Sequence, residues 1–328
     1  MQKQEKKFKK VLVVIASYSA YRNPLEKALK VLNIKTNHFD NRKTTLYEKL
    51  FFALSIIYSP FYSFATSHIN NRLLKKVDQL KPDLVIVSKG ENISPSTVRE
   101  ISKRTIIVNW FTDYFADYKQ IGELISAYNV FFTGDRTDVK SYREKGYKNL
   151  YCLPYAGPLL NSEHNKKKYD VVFIGTFNKK REHLFENLGR LNLKIWGDKG
   201  WGKSKLRNSY MGKWLNFNEM VRVLKNSKII INNHQNRVLN MRVYETTAAG
   251  ALLITDNSPD LPLMYKIGSE VVVYKNKNDL YGKVKYYLER DIQREKIANA
   301  GYSRVKKEHN YTNRLRKMFS VVIRFPVP

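Results

Sequence analysis

The feature that most constrains this chain is a regular alternation of short β-branched runs with segments whose apolar residues recur at helical spacing. Two of the helical segments begin at Asn23-Pro24 and Ser94-Pro95, where a capping residue precedes a proline suited to the first turn. Strands separated by helices pair in parallel, so the alternation predicts a doubly wound α/β sheet. The strands predicted in the first half are Val11–Ile15, Leu84–Val87, Ile106–Phe111, Val130–Thr133 and Leu150–Leu153.

The alternation stops between Pro154 and Lys168 and then starts again, which divides the chain. Gly157-Pro158 and a run of lysines predict a linker at this break. We therefore predict two α/β domains with a cleft between them, over residues 1–157 and 158–310, and a last helical segment over 311–328. The strands predicted in the second half are Asp170–Ile174, Leu193–Trp196, Ile229–Ile231, Leu252–Thr255 and Val271–Tyr274.

The charge balance predicts an anionic partner. The chain has 59 Lys and Arg against 29 Asp and Glu, a net charge of +30, which suits nucleic acid, a lipid surface or a phosphorylated substrate. No motif of a nucleic-acid-binding fold occurs and the lysines are dispersed, so we expect no nucleic-acid partner. The single cysteine, Cys152, excludes an intrachain disulfide and a zinc site built on cysteine pairs, and it fits a cytoplasmic location.

The stretch Leu50–Asn71 is apolar, aromatic and free of Asp, Glu, Lys and Arg. Serines, Thr66 and Pro60 interrupt it, so it does not meet the requirement of about 20 predominantly apolar residues for a membrane-spanning helix. Helices packed on the sheet are one interpretation. The other is a patch that enters a membrane interface beside basic residues, which would make the protein peripheral on the inner face of the membrane.

Several phosphate-binding and metal-binding motifs are missing from the sequence. There is no G-x-x-x-x-G-K-[ST] loop, the first strand is followed by Ala16-Ser-Tyr-Ser-Ala20 instead of a glycine fingerprint, and no Asp-x-Asp pair occurs. A diphosphate bound by this chain would have to be neutralised by Arg, Lys and helix N-termini. We therefore expect neither a metal ion nor a cofactor.

The second half contains two segments with groups that suit a diphosphate. Gly175-Thr-Phe-Asn178-Lys-Lys-Arg181 follows a strand and opens a helix, although basic residues in such a turn are also common as a solvated surface. In the second segment, Asn240 is a plausible N-cap, and Arg242 and Glu245 share one face of the following helix. The guanidinium could bind a phosphate and the carboxylate a ribose, or the two could form a simple surface pair worth about 0.3–0.5 kcal/mol.

At these residues the sequence resembles a known family. From Asp170 to Thr312 it resembles the CgeB-like (spore-maturation type) glycosyltransferases, a resemblance carried by FIGTFNKKRE, LKIWGDKGW, INNHQNRVLNMRVYETTAAGALLITD, EVVVYKNKNDLYGKVKYYL and REKIANAGYSRVKKEHNYTNRL. The first half is similar mainly through IIVNWFTDYFADY. The resemblance implies the GT-B fold: two Rossmann-like domains whose sheets face each other across a cleft, with the nucleotide-sugar donor in the C-terminal domain and a C-terminal helix crossing back to the first.

The resemblance also implies roles for individual residues. Glu245 is expected to bind the ribose and Arg242 the diphosphate, with Gly175 and Thr176 in the turn that approaches the phosphates, and Asn233 and His234 at the end of a strand facing the cleft. The remaining residues that we assign to the donor site are Asn178, Lys180, Arg181, Asn240 and Thr246.

In one respect the sequence departs from the related glycogen-synthase-like retaining transferases. These carry two glutamates separated by seven residues, and here the position eight before Glu245 is Arg237. The resemblance implies a hexosyltransferase of the retaining class, but the sugar-contacting acid has no counterpart. For catalysis we select Arg242 and Asp113, which lies just past the predicted strand Ile106–Phe111; an ordinary cap or turn residue is the other interpretation of Asp113.

The function predicted from these observations is metal-independent transfer of a sugar from a nucleotide-sugar donor to a glycan, lipid-linked or cell-surface acceptor in cell-surface polysaccharide biosynthesis. The donor is taken as a UDP-sugar from its frequency in the family. The basic surface would serve docking on an anionic membrane. The alternatives are a basic nucleic-acid-binding protein and an inactive, carbohydrate-binding relative.

Overall fold

A computed structural model describes residues 8–57, 60–111, 113–118, 120–160 and 167–325. Over these residues the chain forms two compact units. The first contains the described residues up to Pro154 together with those from Thr312 onwards, and the second is Tyr155–Tyr311. Each unit is built around one parallel sheet, as the βα alternation predicts.

The first unit has a six-stranded parallel sheet in the order β2-β1-β3-β4-β5-β6. Its strands are β1 (Lys10–Val14), β2 (Lys35–Phe39), β3 (Leu84–Ser88), β4 (Ile106–Phe111), β5 (Val130–Thr133) and β6 (Leu150–Cys152). The helices between them are α1 (Arg22–Val31), α2 (Leu46–Leu54), α3 (Pro60–Leu80), α4 (Pro95–Ser102), α5 (Ile121–Ala127) and α6 (Arg136–Glu144).

The second unit has a five-stranded parallel sheet in the order β11-β10-β9-β7-β8. Its strands are β7 (Tyr169–Ile174), β8 (Leu193–Trp196), β9 (Ser227–Asn232), β10 (Leu252–Asp256) and β11 (Val272–Tyr274). Its helices are α7 (Lys179–Phe185), α8 (Phe217–Lys225), α9 (Met241–Ala248), α10 (Leu261–Met264), α11 (Lys277–Leu288) and α12 (Asp291–Lys307).

The central strands are apolar on both faces because helices cover both faces of each sheet. In β9, Ile229 and Ile231 pack into the core that contains Trp201, whereas Ile230 faces the opposite core beside Met220. Alternate side chains of a strand point to opposite faces, so a run of isoleucines fills both cores at once. This is why the β-branched runs identify the strands well.

One strand was not predicted, and one predicted cap is wrong. The sequence of β2, KTNHF, contributes only Phe39 to the buried core, and the strand is held by its parallel pairing with β1 at the edge of the sheet. Helix α1 begins at Arg22 after Tyr21, without a side-chain cap, so Asn23 lies inside the first turn. Ser94 is confirmed as a cap, because its hydroxyl accepts a hydrogen bond from the backbone N–H of Thr97.

The C-terminal helix α13 (Tyr311–Val322) returns to the first unit, as the GT-B resemblance implies. Arg314 donates from Nε to the carbonyl oxygen of Pro154 at 3.0 Å. The ring of Phe319 packs on that of Phe8, with 5.3 Å between centroids. The segment Leu50–Asn71, for which the sequence allows two interpretations, contributes to α2 and α3. None of the helices in the described ranges is long and apolar enough to cross a bilayer.

Candidate functional site

The topology of the second sheet places a crevice between β7 and β9. The chain leaves β7 for β8 on one side and then crosses to β9 on the other, so the connections diverge between these two neighbouring strands. Ligands of open α/β sheets bind at the carboxyl ends of the strands at such a point. Gly175 follows β7 and Asn233 follows β9, so both predicted segments border the crevice.

Arg181 connects the two segments. Its Nη1 donates to the carbonyl oxygen and to the hydroxyl of Thr176, both at 2.9 Å, and its Nη2 donates to the carbonyl oxygen of Asn233 at 2.7 Å. The side chain lies over the ring of Phe173, and the residue is only 5% exposed. Burial lowers the pKa of Arg181, against the opposing effect of the Asp256 carboxylate. We assigned Arg181 to the donor site, and its described contacts make it a bridge between the two loops.

The other residues of the first segment have different environments. Asn178 is the N-cap of α7, and its Oδ1 accepts from the backbone N–H of Arg181 at 2.8 Å. Thr176 and Lys180 are exposed. Gly175 is tightly packed, because a Cβ there would lie 2.9 Å from the Phe173 ring. The segment therefore presents the Thr176 hydroxyl and the ammonium groups of Lys179 and Lys180 to solvent beside the crevice.

His234 and Asp256 form the centre of a polar network at the ends of β9 and β10. The His234 Nδ1 is 2.7 Å from Asp256 Oδ1, and the backbone N–H of His234 also donates to this carboxylate. The side-chain amide of Asn232 donates to His234 Nε2 at 3.3 Å, so the ring proton is on Nδ1. Asn233 donates from Nδ2 to Asp256 Oδ2 at 3.2 Å. The predicted pair Asn233 and His234 is therefore held in a fixed orientation.

Asp256 and Tyr274 belong to this network and are absent from the set assigned from the sequence. The Tyr274 hydroxyl donates to the carbonyl oxygen of Asn232 and accepts from Asn233, each at 3.2 Å. Burial, followed by the nearby Asp256 carboxylate, raises the pKa of Tyr274. Asp256 could have been identified from the sequence, because it is a polar residue directly after the predicted strand Leu252–Thr255 and because β10 neighbours β9. Tyr274 ends an edge strand and offers no such signal.

Asn240 occupies the N-cap position of α9, as predicted, but its side chain does not cap the helix. Its Nδ2 donates to Asn232 Oδ1 at 3.0 Å, which joins the start of α9 to the end of β9. Its Oδ1 is buried and has no hydrogen-bond partner among the described residues. A buried oxygen in this state has a vacant acceptor position beside the crevice.

Arg242 and Glu245 contact each other in the first turns of α9. Arg242 Nη1 donates to Glu245 Oε2 at 2.7 Å and lies 3.0 Å from the sulfur of Met220 on α8. The side chains are 14% and 3% exposed, so this is not the solvated surface pair that the sequence left open. Burial raises the pKa of Glu245, and the Arg242 charge opposes this effect. Glu245, the residue predicted to bind the ribose, is thus bonded to Arg242, the residue predicted to bind the diphosphate.

Helix α9 contains buried polar atoms that lack a hydrogen-bond partner. The Nε of Arg242 and the hydroxyl of Thr246 are buried and have no partner among the residues that the structure describes. Thr246 is fully buried, one helical turn beyond Arg242. These atoms and Asn240 Oδ1 lie close together in sequence, although buried polar groups are normally paired.

Asp113, the catalytic candidate of the first unit, is neither a helix cap nor free. Its Oδ2 is 2.6 Å from the ammonium of Lys89 and accepts from the Tyr118 hydroxyl at 2.9 Å. Burial, followed by the Asp113 charge, raises the pKa of Tyr118. Lys89 adopts a left-handed backbone conformation with φ 59°, which residues other than glycine rarely adopt. In the described ranges, no group of three His, Cys, Asp or Glu side chains is placed to hold a metal ion.

Comparison with known proteins supports the resemblance seen in the sequence. Residues 180–320 match a family described as glycosyl transferase-like. Spore protein CgeB of Bacillus subtilis (strain 168) is 22% identical over 262 residues, an alignment that covers 70% of this chain and 79% of that protein. The CgeB-like resemblance is confirmed.

The chain also shares its fold with solved structures. Anabaena HepE in complex with UDP and glucose is similar with a TM-score of 0.60 and 9% identity, over 96% of this chain and 100% of that one. A UDP-GlcNAc 2-epimerase from Neisseria meningitidis bound to UDP-GlcNAc has a TM-score of 0.56 and 11% identity, over 96% and 100% of the two chains. At these identities the likeness shows the fold, which is GT-B.

The segment that matches the glycosyl transferase-like family contains most of the site. Residues 180–320 include Arg181, His234, Arg242, Glu245 and Asp256, while Gly175, Thr176 and Asn178 precede the segment. Most of the matched segment lies in the second unit, and the polar network of His234 and Asp256 lies within it.

Proposed function

We propose that this chain is a metal-independent glycosyltransferase that moves a sugar from a nucleotide-sugar donor to a glycan, lipid-linked or cell-surface acceptor. The observation that carries the proposal is the state of Arg242. Its guanidinium is held by Glu245 through Nη1, while Nε on the other edge has no partner among the described residues. That edge is suited to two oxygens of a phosphate.

The chemistry requires stabilisation of negative charge on the departing nucleoside diphosphate. Arg242 supplies a fixed charge in the first turn of α9, where the helix dipole also favours an anion. Lys180 adds an exposed ammonium on α7. Removing one fixed donor of this kind lowers kcat by about 10²–10³ in well-studied enzymes. The role proposed for these cations is the one that a divalent metal has in other nucleotide-sugar enzymes.

Glu245 has two roles in this proposal. Its Oε2 orients the guanidinium of Arg242, and its Oε1 accepts a ribose hydroxyl. Glu245 is buried, and in such a dry environment a hydrogen bond to a hydroxyl is stronger than in water. Asn240 Oδ1 and the Thr246 hydroxyl would complete the polar lining.

Asp113 is proposed to act on the acceptor hydroxyl. Its Oδ2 pairs with the Lys89 ammonium and accepts from the Tyr118 hydroxyl, and these two contacts fix its orientation. From the resemblance we extend the proposal to a UDP-hexose donor and retention of the anomeric configuration. The anomeric proton coupling of the isolated product, measured by NMR, tests the configuration directly.

The donor site is tested by calorimetric titration with UDP-, GDP-, CMP- and dTDP-sugars. Arg242→Ala should weaken binding of the accepted donor at least tenfold, because an ionic hydrogen-bonded contact to phosphate is lost. Arg222→Ala is the matched control: it removes an exposed arginine from α8 of the same unit. Equal affinities in the two variants would remove Arg242 from the site.

Metal independence needs a separate test. Product formation from the accepted donor should continue in EDTA, and manganese should not increase it. Activity that is lost in EDTA and restored by manganese would contradict the proposal. Tight, salt-sensitive RNA binding without any nucleotide-sugar binding would instead favour a nucleic-acid-binding protein.

A further inference from the structure

The end of the α2–α3 helix pair exposes a concentrated apolar surface. Ile56 and Ile57, directly after α2, are 88% and 86% exposed. Three more large apolar residues of this region are about half exposed, and together the five form what we call the apolar tip: Leu50, Ile56, Ile57, Tyr62 and Phe64. Isolated exposed apolar residues are ordinary, but a contiguous group marks an interaction surface.

The helices that carry the tip are packed against each other. Phe51 contacts Phe61 with 5.5 Å between ring centroids, and Phe52 contacts Tyr62 at 5.4 Å. The far end of α3 is anchored, because Ile69, Leu73 and Val77 are buried in the core of the first unit. The exposed residues are therefore presented by a packed element of the fold.

A buried carboxylate fixes the base of the helix pair. Glu48 accepts from His68 Nδ1 at 2.8 Å and from Arg72 Nη1 at 2.8 and 3.0 Å, and it forms a capping box with Thr45. These bonds join α2 to α3 at the end away from Ile56. Because the base of the helix pair is already ordered, less conformational freedom has to be lost when the tip binds a partner.

The charges around the tip indicate its partner. Residues 50–71 contain no Asp, Glu, Lys or Arg, while Lys43 and Lys49, just before this stretch, are exposed. A second copy of the chain would bring another net charge of +30 to the same surface, so repulsion opposes self-association. An anionic lipid surface offers acyl chains to the apolar residues and phosphates to the lysines.

The dimensions fit insertion into the interface. Leu54, the last residue of α2, is five positions beyond Lys49. At a helical rise of 1.5 Å per residue this is roughly 8 Å along the helix axis. Interfacial segments bury their apolar face about 5–10 Å below the headgroups. Lys49 can therefore stay among the lipid phosphates while Ile56 and Ile57 enter the acyl boundary.

We propose that the apolar tip inserts into the headgroup–acyl boundary of an anionic bilayer, with Lys49 on the lipid phosphates. The inference depends on residues of α2 and α3 and is independent of the proposed donor site. It defines how the protein reaches a membrane, and it favours an acceptor that is anchored there.

The test is sedimentation of the full chain with vesicles of phosphatidylcholine alone and of phosphatidylcholine with 30% phosphatidylglycerol, roughly the charge density of an anionic leaflet. Binding is expected to the anionic vesicles and should weaken with salt. Ile56→Ser with Ile57→Ser should lower the partition coefficient at least tenfold. The matched control is Val31→Ser with Ile292→Ser, which removes two apolar residues that are 62% and 82% exposed elsewhere, and it should bind like the parent chain.

A second variant reports insertion directly. Ile57→Trp should show a blue-shifted emission with anionic vesicles and quenching by brominated acyl chains. Equal binding by the tip and control variants, or a tryptophan that remains water-exposed on bound vesicles, would overturn the proposal. So would a lipid-free dimer that the tip substitutions dissociate, since the patch would then cover a second copy. Donor binding measured on the same variants should be unchanged, which separates this test from that of the proposed function.

Discussion

The carboxyl edges of the two sheets are built differently. In the second unit, Arg181, Asn232 and His234 are buried members of one hydrogen-bond network. In the first unit, the edge carries ion pairs between partly exposed side chains, Lys89 with Asp113 and Arg42 with Glu91. A buried network keeps its atoms in one arrangement, whereas exposed ion pairs are weak and can exchange partners. The comparison indicates a preorganised edge in the second unit and an adjustable edge in the first.

The largest effect is expected for Arg181→Ala. The substitution leaves the carbonyl oxygens of Thr176 and Asn233 without their donor and opens a cavity beside Phe173, so the second unit should lose about 3–4 kcal/mol of stability. Lys180→Ala removes an exposed neighbour and should change stability by less than about 0.5 kcal/mol. Urea unfolding followed by tryptophan emission measures the difference. A loss of stability below 1 kcal/mol would show that Arg181 does not stabilise this edge of the sheet.

A second prediction concerns the backbone beneath that edge. A Cβ at Gly197 would overlap the carbonyl oxygen of Gly175, and neither backbone can move without disturbing Trp201, which donates to the same oxygen at 2.9 Å. Gly197→Ala should therefore destabilise the second unit by about 2–3 kcal/mol. At Gly202 a Cβ would lie 3.4 Å from the Tyr210 ring, an ordinary contact, so Gly202→Ala serves as the control. Similar thermal midpoints for the two variants would contradict this prediction.

A buried polar anchor of the first unit lies away from its sheet edge, at Glu48. Burial opposes ionisation, but hydrogen bonds from His68, Thr45 and Arg72 outweigh it and lower the pKa of Glu48 below 4.5. Because the folded-state pKa is depressed, the stabilisation is present above about pH 4.5 and lost as the pH falls through the lowered value. Glu48→Gln should cost about 1–2 kcal/mol at pH 7, with the difference shrinking in acid.

The comparison for Glu48 is a surface pair in the same unit. Glu26→Gln breaks a partly exposed bond to Arg22 at 2.9 Å and should cost less than about 0.5 kcal/mol at any pH. Denaturant unfolding of both variants at pH 7 and pH 3.5 measures the effect. A constant difference for Glu48→Gln across this range would show that its charge does not stabilise the helix pair.

The smallest effect is expected at the edge of the first sheet. Lys89→Gln removes the 2.6 Å contact with Asp113, but the two side chains are 39% and 25% exposed, so the loss should stay below about 1 kcal/mol. Lys103→Gln, which breaks an exposed pair with Glu100, is the control and should behave alike. Thermal unfolding checks both. A loss above 2 kcal/mol at Lys89 would remove the contrast between the two edges.

Whether a sequence-based prediction succeeded depended on how deeply its residues are buried and on the direction of the parallel strands. The runs that became β3, β4, β9 and β10 were predictable because both of their faces are buried, which requires consecutive apolar residues. Strand β2 was missed because an edge strand with one buried residue needs no apolar pattern. The segments beside the crevice were predictable because parallel strands bring their carboxyl ends to one edge.

The sequence by itself determined the alternation of elements, the two parallel sheets and the segments that border the crevice, because these depend on periodicity and on chain direction. Only the tertiary structure decided which partner each side chain takes. Arg181 bonds inwards to two loops, Asn240 turns to Asn232 and Glu245 pairs with Arg242 in a buried position. Partners of this kind are separated in sequence or selected by local burial. Which partner a side chain takes depends on its free energy of desolvation, and this quantity is determined only when the surrounding core has formed.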